Sequence, residues 1–426
     1  MVIVIGFVYF SLIAFSVFLS GKRIMLPQAM FWVGFIPGCM SIYYLSISDV
    51  YITEQDGFSY YNNSWLVLLF AFSLHCLGLY VSGLLFKSRV TVRKSLMAPL
   101  ANLQKNIFII FTPLLVIILL FINLMYAPFI PIFQSGYIDR FTFLQTTPMW
   151  PFLKAFGVIA LPVPILLGYG LIYYQRRRAL SCVLSLFALY CIYLFLIGQK
   201  FGGFLIGGFV FLTPYLIRGV EYNGVKYLLK YIFLFVLLVS SFLSVVMYHY
   251  SRYNLAEEFG GPLGLILYRV FVLQGHLYWG MVNHLDLAFY TSHPDFVGIY
   301  NAMHNMMLVV APSEIALPAI ERGVNFAFGY FVSYFYFLGF WGVLAYFVTG
   351  MLFGITCRVY VKAILENDFL LYFISSALLV WWVIYLQNGS VSLLLDFKFL
   401  AFVIFLVIIY FFRKMISLLA TAKRQV

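Results

Sequence analysis

The chain has 426 residues and a formal net charge of +12 at pH 7. Hydrophobic residues make up 64% of it and charged residues only 9%, with a mean hydropathy of +1.00. Since a soluble domain carries about 25% charged residues, this composition excludes a water-soluble protein and predicts an all-α polytopic membrane protein. The basic residues cluster in short loops, as the positive-inside rule expects, so the net charge does not indicate a nucleic-acid partner.

Apolar stretches of roughly 20 residues follow one another along the chain, and we predict a single integral membrane domain covering residues 1–426. The first twenty residues lack a basic segment, so we expect a retained helix there rather than a cleaved signal. Eleven spans are predicted, near residues 1–20, 25–48, 64–86, 106–127, 151–174, 179–198, 201–217, 227–249, 336–357, 369–387 and 397–412.

The distribution of charge predicts the orientation of these spans. Most of the 26 basic residues follow the odd-numbered spans, whereas most of the 14 acidic residues lie in the loops of the other side. Because basic loops stay in the cytoplasm, we expect the N-terminus outside and the C-terminus in the cytoplasm.

The first predicted outer loop contains Glu54–Asp56, with the sequence EQD. This acidic pair resembles that of metal-dependent membrane glycosyltransferases that use polyprenyl phosphosugars. Those enzymes have the loop after their first span, whereas here it follows the second, so we favour an ordinary acidic loop. His75 lies within the third span, as a proton-relay group or, in our preferred interpretation, as a hydrogen-bonded packing residue.

Basic residues on the outer side run against the positive-inside rule, and each therefore invites a functional explanation. Lys200 sits in a tight turn between two spans, within a stretch from Ala179 to Ile217 that has no other charge. Its ammonium group either snorkels toward lipid phosphate or binds the phosphate of a substrate. The seven outer basic residues are Arg140, Lys154, Lys200, Arg252, Arg269, Arg322 and Lys398.

The longest segment between predicted spans runs from residue 250 to about residue 335, and loops of this length are uncommon unless they are functional. Its apolar stretch 262–282 predicts an interfacial helix, although a pair of additional crossings is an alternative. On one continuous helix, Arg269 and His276 would share a face and be separated by about 10 Å of rise.

Two His-x-Asp motifs, His284–Asp286 and His293–Asp295, lie in the same long segment. Histidine and carboxylate side chains are suitable ligands for a divalent ion. No third anchor accompanies them in the sequence, so we predict no metal site and no cofactor.

Three stretches in and after the long segment resemble bacterial O-antigen polymerases (Wzy), which are related to O-antigen ligases. The stretches are LYRVFVLQG (267–275), AMHNMML (302–308) and ERGVNFAFGYFVSYFYFLGFWG (321–342). The resemblance implies a metal-independent glycosyltransferase of the bacterial inner membrane that acts at its periplasmic face. Such an enzyme transfers a growing oligosaccharide from undecaprenyl pyrophosphate to a sugar hydroxyl of a new lipid-linked repeat unit, and a chain-length-regulating co-polymerase is an expected partner.

The resemblance also implies periplasmic arginines that bind the pyrophosphate, a role that Arg252, Arg269 and Arg322 match by location. His304 and Asn305 resemble the His-Asn dipeptide of the ligase branch. The chemistry agrees, since cations stabilise the charge of a departing pyrophosphate and a histidine or carboxylate accepts the proton of the attacking hydroxyl. The predicted catalytic residues are Arg269, His304, His276 and Glu314, and the predicted pyrophosphate-binding residues are Lys200, Arg252, Arg322 and Arg140.

Two other functions fit parts of the same pattern. An O-antigen ligase would use the same donor with lipid A core as the acceptor, and the sequence does not separate the two enzymes. A flippase for lipid-linked oligosaccharide, a transporter rather than an enzyme, favours two related halves and charges along a central path. The chain shows no convincing internal repeat, so we prefer the polymerase.

Overall fold

The computed structural model describes most of the chain, and its elements confirm an all-α polytopic membrane protein. The described residues are 24–85, 107–134, 140–148, 160–174, 176–199, 201–223, 240, 243, 244, 246–251, 255–285 and 294–422. The predicted spans 1–20 and most of 227–249 lie outside these residues.

The first half of the described chain consists mainly of long apolar helices, with one helix of seven residues among them. They are α1 (Ala29–Ile47), α2 (Ser64–Leu85), α3 (Thr112–Met125), α4 (Arg140–Thr146), α5 (Pro162–Tyr173), α6 (Arg177–Leu196) and α7 (Phe201–Asn223). A π-helical segment, Ile107–Phe111, leads into α3. Two short antiparallel strands, β1 (Tyr51–Ile52) and β2 (Gly57–Phe58), form a hairpin between α1 and α2.

Short helices make up the long segment, and long helices follow it. They are α8 (Leu255–Glu258), α9 (Pro262–Phe271), α10 (His276–Val282), α11 (Phe296–Tyr300), α12 (Ala302–Val310), α13 (Ser313–Glu321), α14 (Tyr330–Leu338), α15 (Gly342–Leu365), α16 (Phe369–Asn388) and α17 (Phe397–Ala422). Single 3-10 turns occupy Pro131–Phe133, Gly339–Trp341 and Val391–Leu393.

Within the described residues, seven helical stretches are long and apolar enough to cross a membrane. They are Ala29–Ile47, Ser64–Leu85, Ile107–Met125, Arg177–Leu196, Gly202–Glu221, Tyr330–Leu365 and Phe369–Asn388, and each coincides with a predicted span. Two shorter apolar helices, Pro162–Tyr173 and Phe397–Ile409, lie at two further predicted spans.

Helices α2 and α15 cross at very close range because small residues face each other. A methyl group on Gly78 would collide with the backbone of Phe347, and one on Gly350 would collide with the backbone of His75. Gly354 meets Ser82 in the same way one helical turn further on. Small residues spaced by four are a common way of packing helices closely in membranes.

Two described basic residues, Arg218 of α7 and Arg358 of α15, contact helix ends on the same side of the bundle, which we call the basic end. Arg218 donates to the carbonyl oxygens of Ile172 (2.7 Å) and Ile364 (3.4 Å), at the C-terminal ends of α5 and α15. Arg358 donates to Ser82 Oγ (3.3 Å) at the end of α2. The β1–β2 hairpin follows the opposite end of α1, so this relative arrangement agrees with the predicted one. Which end meets the cytoplasm stays a prediction.

The structure corrects the expectation of one continuous helix over residues 262–282. Helix α9 ends at Phe271 and α10 begins at His276, so the shared helical face of Arg269 and His276 does not exist. At the break, Ser41 of α1 donates to Val272 O (2.6 Å) and accepts from Gly275 N (2.9 Å), satisfying backbone groups that the helix leaves unpaired. With 10 and 7 residues, neither helix is long enough to cross a membrane.

Candidate functional site

A cavity of about 460 Å³ lies among the non-spanning elements, away from the basic end. Its walls come from the β1–β2 hairpin, from α9 and the turn that follows it, from α13, and from the loop before α14. The lining residues are Thr53, Glu54, Arg269, Leu273, Gln274, His276, Ile315, Ala319, Arg322, Val324, Asn325, Phe326 and Ala327. We call this cavity the outer pocket.

Two arginines from separate elements reach the outer pocket. Arg269, near the end of α9, is half-buried, and its Nε has no hydrogen-bond partner. The Arg269 guanidinium carbon lies 5.2 Å from the centre of the Tyr250 ring, a cation–π contact that fixes its position. Arg322, at the end of α13, is exposed and anchored by a hydrogen bond from its Nε to Pro318 O (3.0 Å).

Helix α13 presents one face to the pocket. Ile315, Ala319 and Arg322 are spaced by four and three residues, which places them on the same side of a helix. Glu314 is exposed and is not among the lining residues, so this predicted catalytic carboxylate stays outside the pocket.

His276 forms part of the pocket wall in a defined tautomer. Its Nδ1 lies 2.9 Å from Leu273 O, and because a carbonyl only accepts, Nδ1 carries the proton. Burial lowers the pKa of His276 below its ordinary value, although the negative charge of Glu54 and the bond to Leu273 oppose that shift. The ring is therefore neutral at neutral pH. Its Nε2 is buried without a hydrogen-bond partner. The centres of the His276 and Phe326 rings are 4.6 Å apart.

Glu54 is the pocket residue that sequence reasoning assigned to an ordinary acidic loop. The hairpin that holds it is docked on α9 and α10: Thr53 N donates to Tyr268 OH (2.9 Å), and Gln55 Nε2 donates to His276 O (2.8 Å). Glu54 Oε2 accepts from Thr53 Oγ1 (2.6 Å). The neighbouring Asp56 instead accepts from Tyr51 OH and does not line the pocket.

The loop before α14 forms another wall and contains a residue in an unusual conformation. Phe328 has a φ of 68°, in the left-handed region that non-glycine residues seldom occupy. Its buried ring packs against Gly38 and Phe35 of α1, and Gly329 N donates to Gln387 O (3.0 Å). Such strain is often found at functional sites, where the surroundings hold it in place.

Several predicted site residues lie away from the pocket or outside the described residues. His304 is half-buried on α12 and does not line the pocket, while the neighbouring Asn305 donates to Gly298 O (3.0 Å). Arg140 begins α4, and its side chain is outside the described part of the structure, as are Lys154, Lys200 and Arg252.

The remaining sequence motifs have structural explanations where the structure describes them. Asp295 caps α11 by accepting from Gly298 N (2.8 Å), whereas Asp286 and His293 lie outside the described residues. His75 Nδ1 lies 3.1 Å from Tyr330 OH, and its ring packs against Phe31 and Phe353. This environment fits the packing interpretation of His75.

Comparison with known proteins finds one family model that matches part of the chain. A family model described as a family of unknown function (DUF6418) matches residues 298–403. The matched segment includes Arg322 and the strained loop but not Glu54, Arg269 or His276. No curated protein and no solved structure matches the chain. The family match assigns no activity to the pocket.

Proposed function

We propose that the protein is an O-antigen polymerase of the bacterial inner membrane. It transfers a growing oligosaccharide from undecaprenyl pyrophosphate to a sugar hydroxyl of a new lipid-linked repeat unit. The observation that supports this proposal is the meeting of Arg269 and Arg322 in one pocket away from the basic end. Both arginines were predicted pyrophosphate ligands, and they are 53 positions apart in the sequence.

The two guanidinium groups suit a pyrophosphate leaving group. As the bond between the anomeric carbon and the pyrophosphate breaks, negative charge develops on the phosphate oxygens. Each guanidinium offers several N–H donors in a planar fork that fits two phosphate oxygens at once. The pocket volume of about 460 Å³ is within the range of small-ligand sites.

The position of the pocket suits a substrate that is anchored in lipid. Its walls come from elements outside the candidate spans, on the hairpin side of the bundle. Under the predicted orientation this is the periplasmic side, where lipid-linked repeat units are polymerised. Lys200, Arg252 and Arg140 remain sequence-predicted contributors to phosphate binding.

The test of the proposed function is deletion of the gene in its own host, followed by electrophoresis of the lipopolysaccharide. We expect lipid A core bearing at most one repeat unit, and a long-chain ladder again after complementation with the wild-type gene. Core with no repeat unit would indicate a ligase or a flippase. An unchanged ladder would rule out the polymerase.

A further inference from the structure

We infer that Glu54 is the general base of the outer pocket, the group that takes the proton from the attacking sugar hydroxyl. This inference rests on the proposed function and assigns within it the proton-accepting role for which the sequence offered His304, His276 and Glu314. Of these four residues, only Glu54 and His276 line the pocket.

The hairpin segment that carries Glu54 is docked through the residues on both sides of it in the sequence. Tyr268 OH accepts from Thr53 N, and Gln55 donates to the backbone carbonyl of His276. Tyr268 directly precedes Arg269, so these hydrogen bonds join the backbone of the hairpin to the helix that carries the guanidinium. The hairpin therefore belongs to the pocket wall.

The opposite charges in the pocket do not neutralise each other. Among the residues that the structure describes, Glu54 forms no salt bridge within 4.0 Å with Arg269 or Arg322, although all three line the same cavity. Glu54 and Arg269 border one cavity of about 460 Å³, which leaves room for a ligand that contacts both side chains. That arrangement fits a donor phosphate on the arginine side and an acceptor hydroxyl on the Glu54 side.

Glu54 is better exposed than His276 for contact with a substrate. His276 Nε2 is buried, with Phe326 packed against the ring, so a hydroxyl reaches it only if Phe326 moves. Glu54 is half-exposed, and only its Oε2 is engaged, by Thr53 Oγ1. Its Oε1 has no hydrogen-bond partner in the described part of the chain, and Glu54 lines the cavity.

The transfer step balances with these groups alone. The acceptor oxygen forms a bond to the anomeric carbon of the donor as its proton passes to Glu54. The bond from that carbon to the pyrophosphate oxygen breaks, and the electron pair leaves with undecaprenyl pyrophosphate, whose charge Arg269 and Arg322 stabilise. Glu54 then loses the proton to water, and the carboxylate is restored.

The experiment compares Glu54→Gln with wild type in proteoliposomes supplied with a lipid-linked repeat unit. Gln keeps the shape of the side chain and can still accept from Thr53, but it does not take up a proton. We expect the rate of polymer formation to fall by about a hundredfold or more, with the KM for the repeat unit within threefold of wild type. Asp56→Asn is the matched control, two residues along the same hairpin, and is expected to keep the wild-type rate.

A second variant separates a chemical role from a structural one. Glu54→Ala opens space beside the acceptor site, and added formate is expected to restore part of its rate, while leaving Glu54→Gln and wild type unaffected. If the wild type makes polymer and the rate of Glu54→Gln is within threefold of the wild-type rate, the inference is wrong, but the proposed function still holds. Absence of restoration by formate together with a raised KM would also overturn it, in favour of a structural role. A wild-type protein that makes no polymer would instead contradict the proposed function.

Discussion

Arg269 is half-buried, yet no carboxylate in the described part of the chain lies within 4.0 Å of it. A buried cation normally has a partner, because removing its charge from water is costly. Here the Tyr250 ring supplies one contact, and Arg269 lines the pocket. We interpret the missing partner as the substrate pyrophosphate.

The first prediction concerns the shape of the Arg269 side chain. Arg269→Lys keeps the charge but loses the planar fork, so we expect only part of the long-chain polymer to remain. Arg269→Ala should slow turnover by about a hundredfold or more, since it removes a charge-assisted contact to the leaving group. Polymer length and rate are measured at equal membrane expression.

Lys398→Ala is the control for this series. Lys398 is an exposed cation at the start of α17, outside the pocket, and its loss should leave the polymer unchanged. A normal lipopolysaccharide ladder from Arg269→Ala would show that Arg269 does not bind the pyrophosphate. Its role would then be that of a membrane anchor, and other cations would have to bind the phosphate.

Among the helices, the closely packed pair α2 and α15 contacts the end of the loop that lines the pocket. The hydroxyl of Tyr330, the first residue of α14, is 3.1 Å from Nδ1 of His75 on α2. Tyr346 OH of α15 donates to Tyr330 O (3.0 Å). The strained loop that lines the pocket ends at this contact. A shift of α15 relative to α2 would therefore also move the loop that lines the pocket.

The second prediction tests that crossing. Gly350→Ala places a methyl group against the backbone of His75, and overpacking of this kind costs about 1–3 kcal/mol. We expect a lower melting temperature of the detergent-solubilised protein. Gly208→Ala on α7 is the matched control, because nothing lies within 4 Å of the added methyl group there. Equal melting temperatures for the two variants would show that the crossing is less tight than described.

The elements themselves were largely predictable from the sequence, whereas the pocket was not. Runs of about 20 apolar residues indicate spans whatever their neighbours do, and the described candidate spans coincide with predicted ones. The break between α9 and α10 depends on Ser41, more than 200 positions away, so local periodicity over 262–282 gave a continuous helix. Glu54 was assigned to an ordinary loop for the same reason: its docking on Tyr268 and His276 is a long-range contact.

Of the predicted site residues, Arg269, His276 and Arg322 line the pocket. The two arginines could be selected from the sequence because their signal does not depend on tertiary structure. An arginine on the predicted outer side runs against the positive-inside rule wherever the chain folds. His304 was chosen from a two-residue resemblance, and such a short motif does not fix the position of a side chain. It lies outside the pocket wall.

At the scale of the whole molecule, the proposal depends on which side of the membrane the pocket faces. The hairpin and the long segment lie away from the basic end. The proposed polymerase function therefore needs the pocket to be on the periplasmic side. The third prediction is that Asp56→Cys and Val297→Cys react with a membrane-impermeant maleimide in spheroplasts. Arg177→Cys and Glu366→Cys should react only after permeabilisation.

The wild-type chain, with five free cysteines, gives the background labelling in this experiment. Exposed positions were chosen for the outer pair, since Asp56 lies at the hairpin tip and Val297 is 84% exposed. Labelling of Arg177→Cys in intact spheroplasts, with Asp56→Cys protected, would show that the pocket faces the cytoplasm. That result would contradict the proposed periplasmic substrate.

We propose that this chain joins lipid-linked repeat units, and the purified protein can be reconstituted with one substrate to measure that reaction. Proteoliposomes would contain the wild-type protein and an undecaprenyl-pyrophosphate-linked repeat unit, and the products would be identified by mass spectrometry. We expect glycans of two or more repeat units on undecaprenyl pyrophosphate, with one undecaprenyl pyrophosphate released for each bond formed. Repeat units that remain single in the presence of correctly folded protein would contradict it.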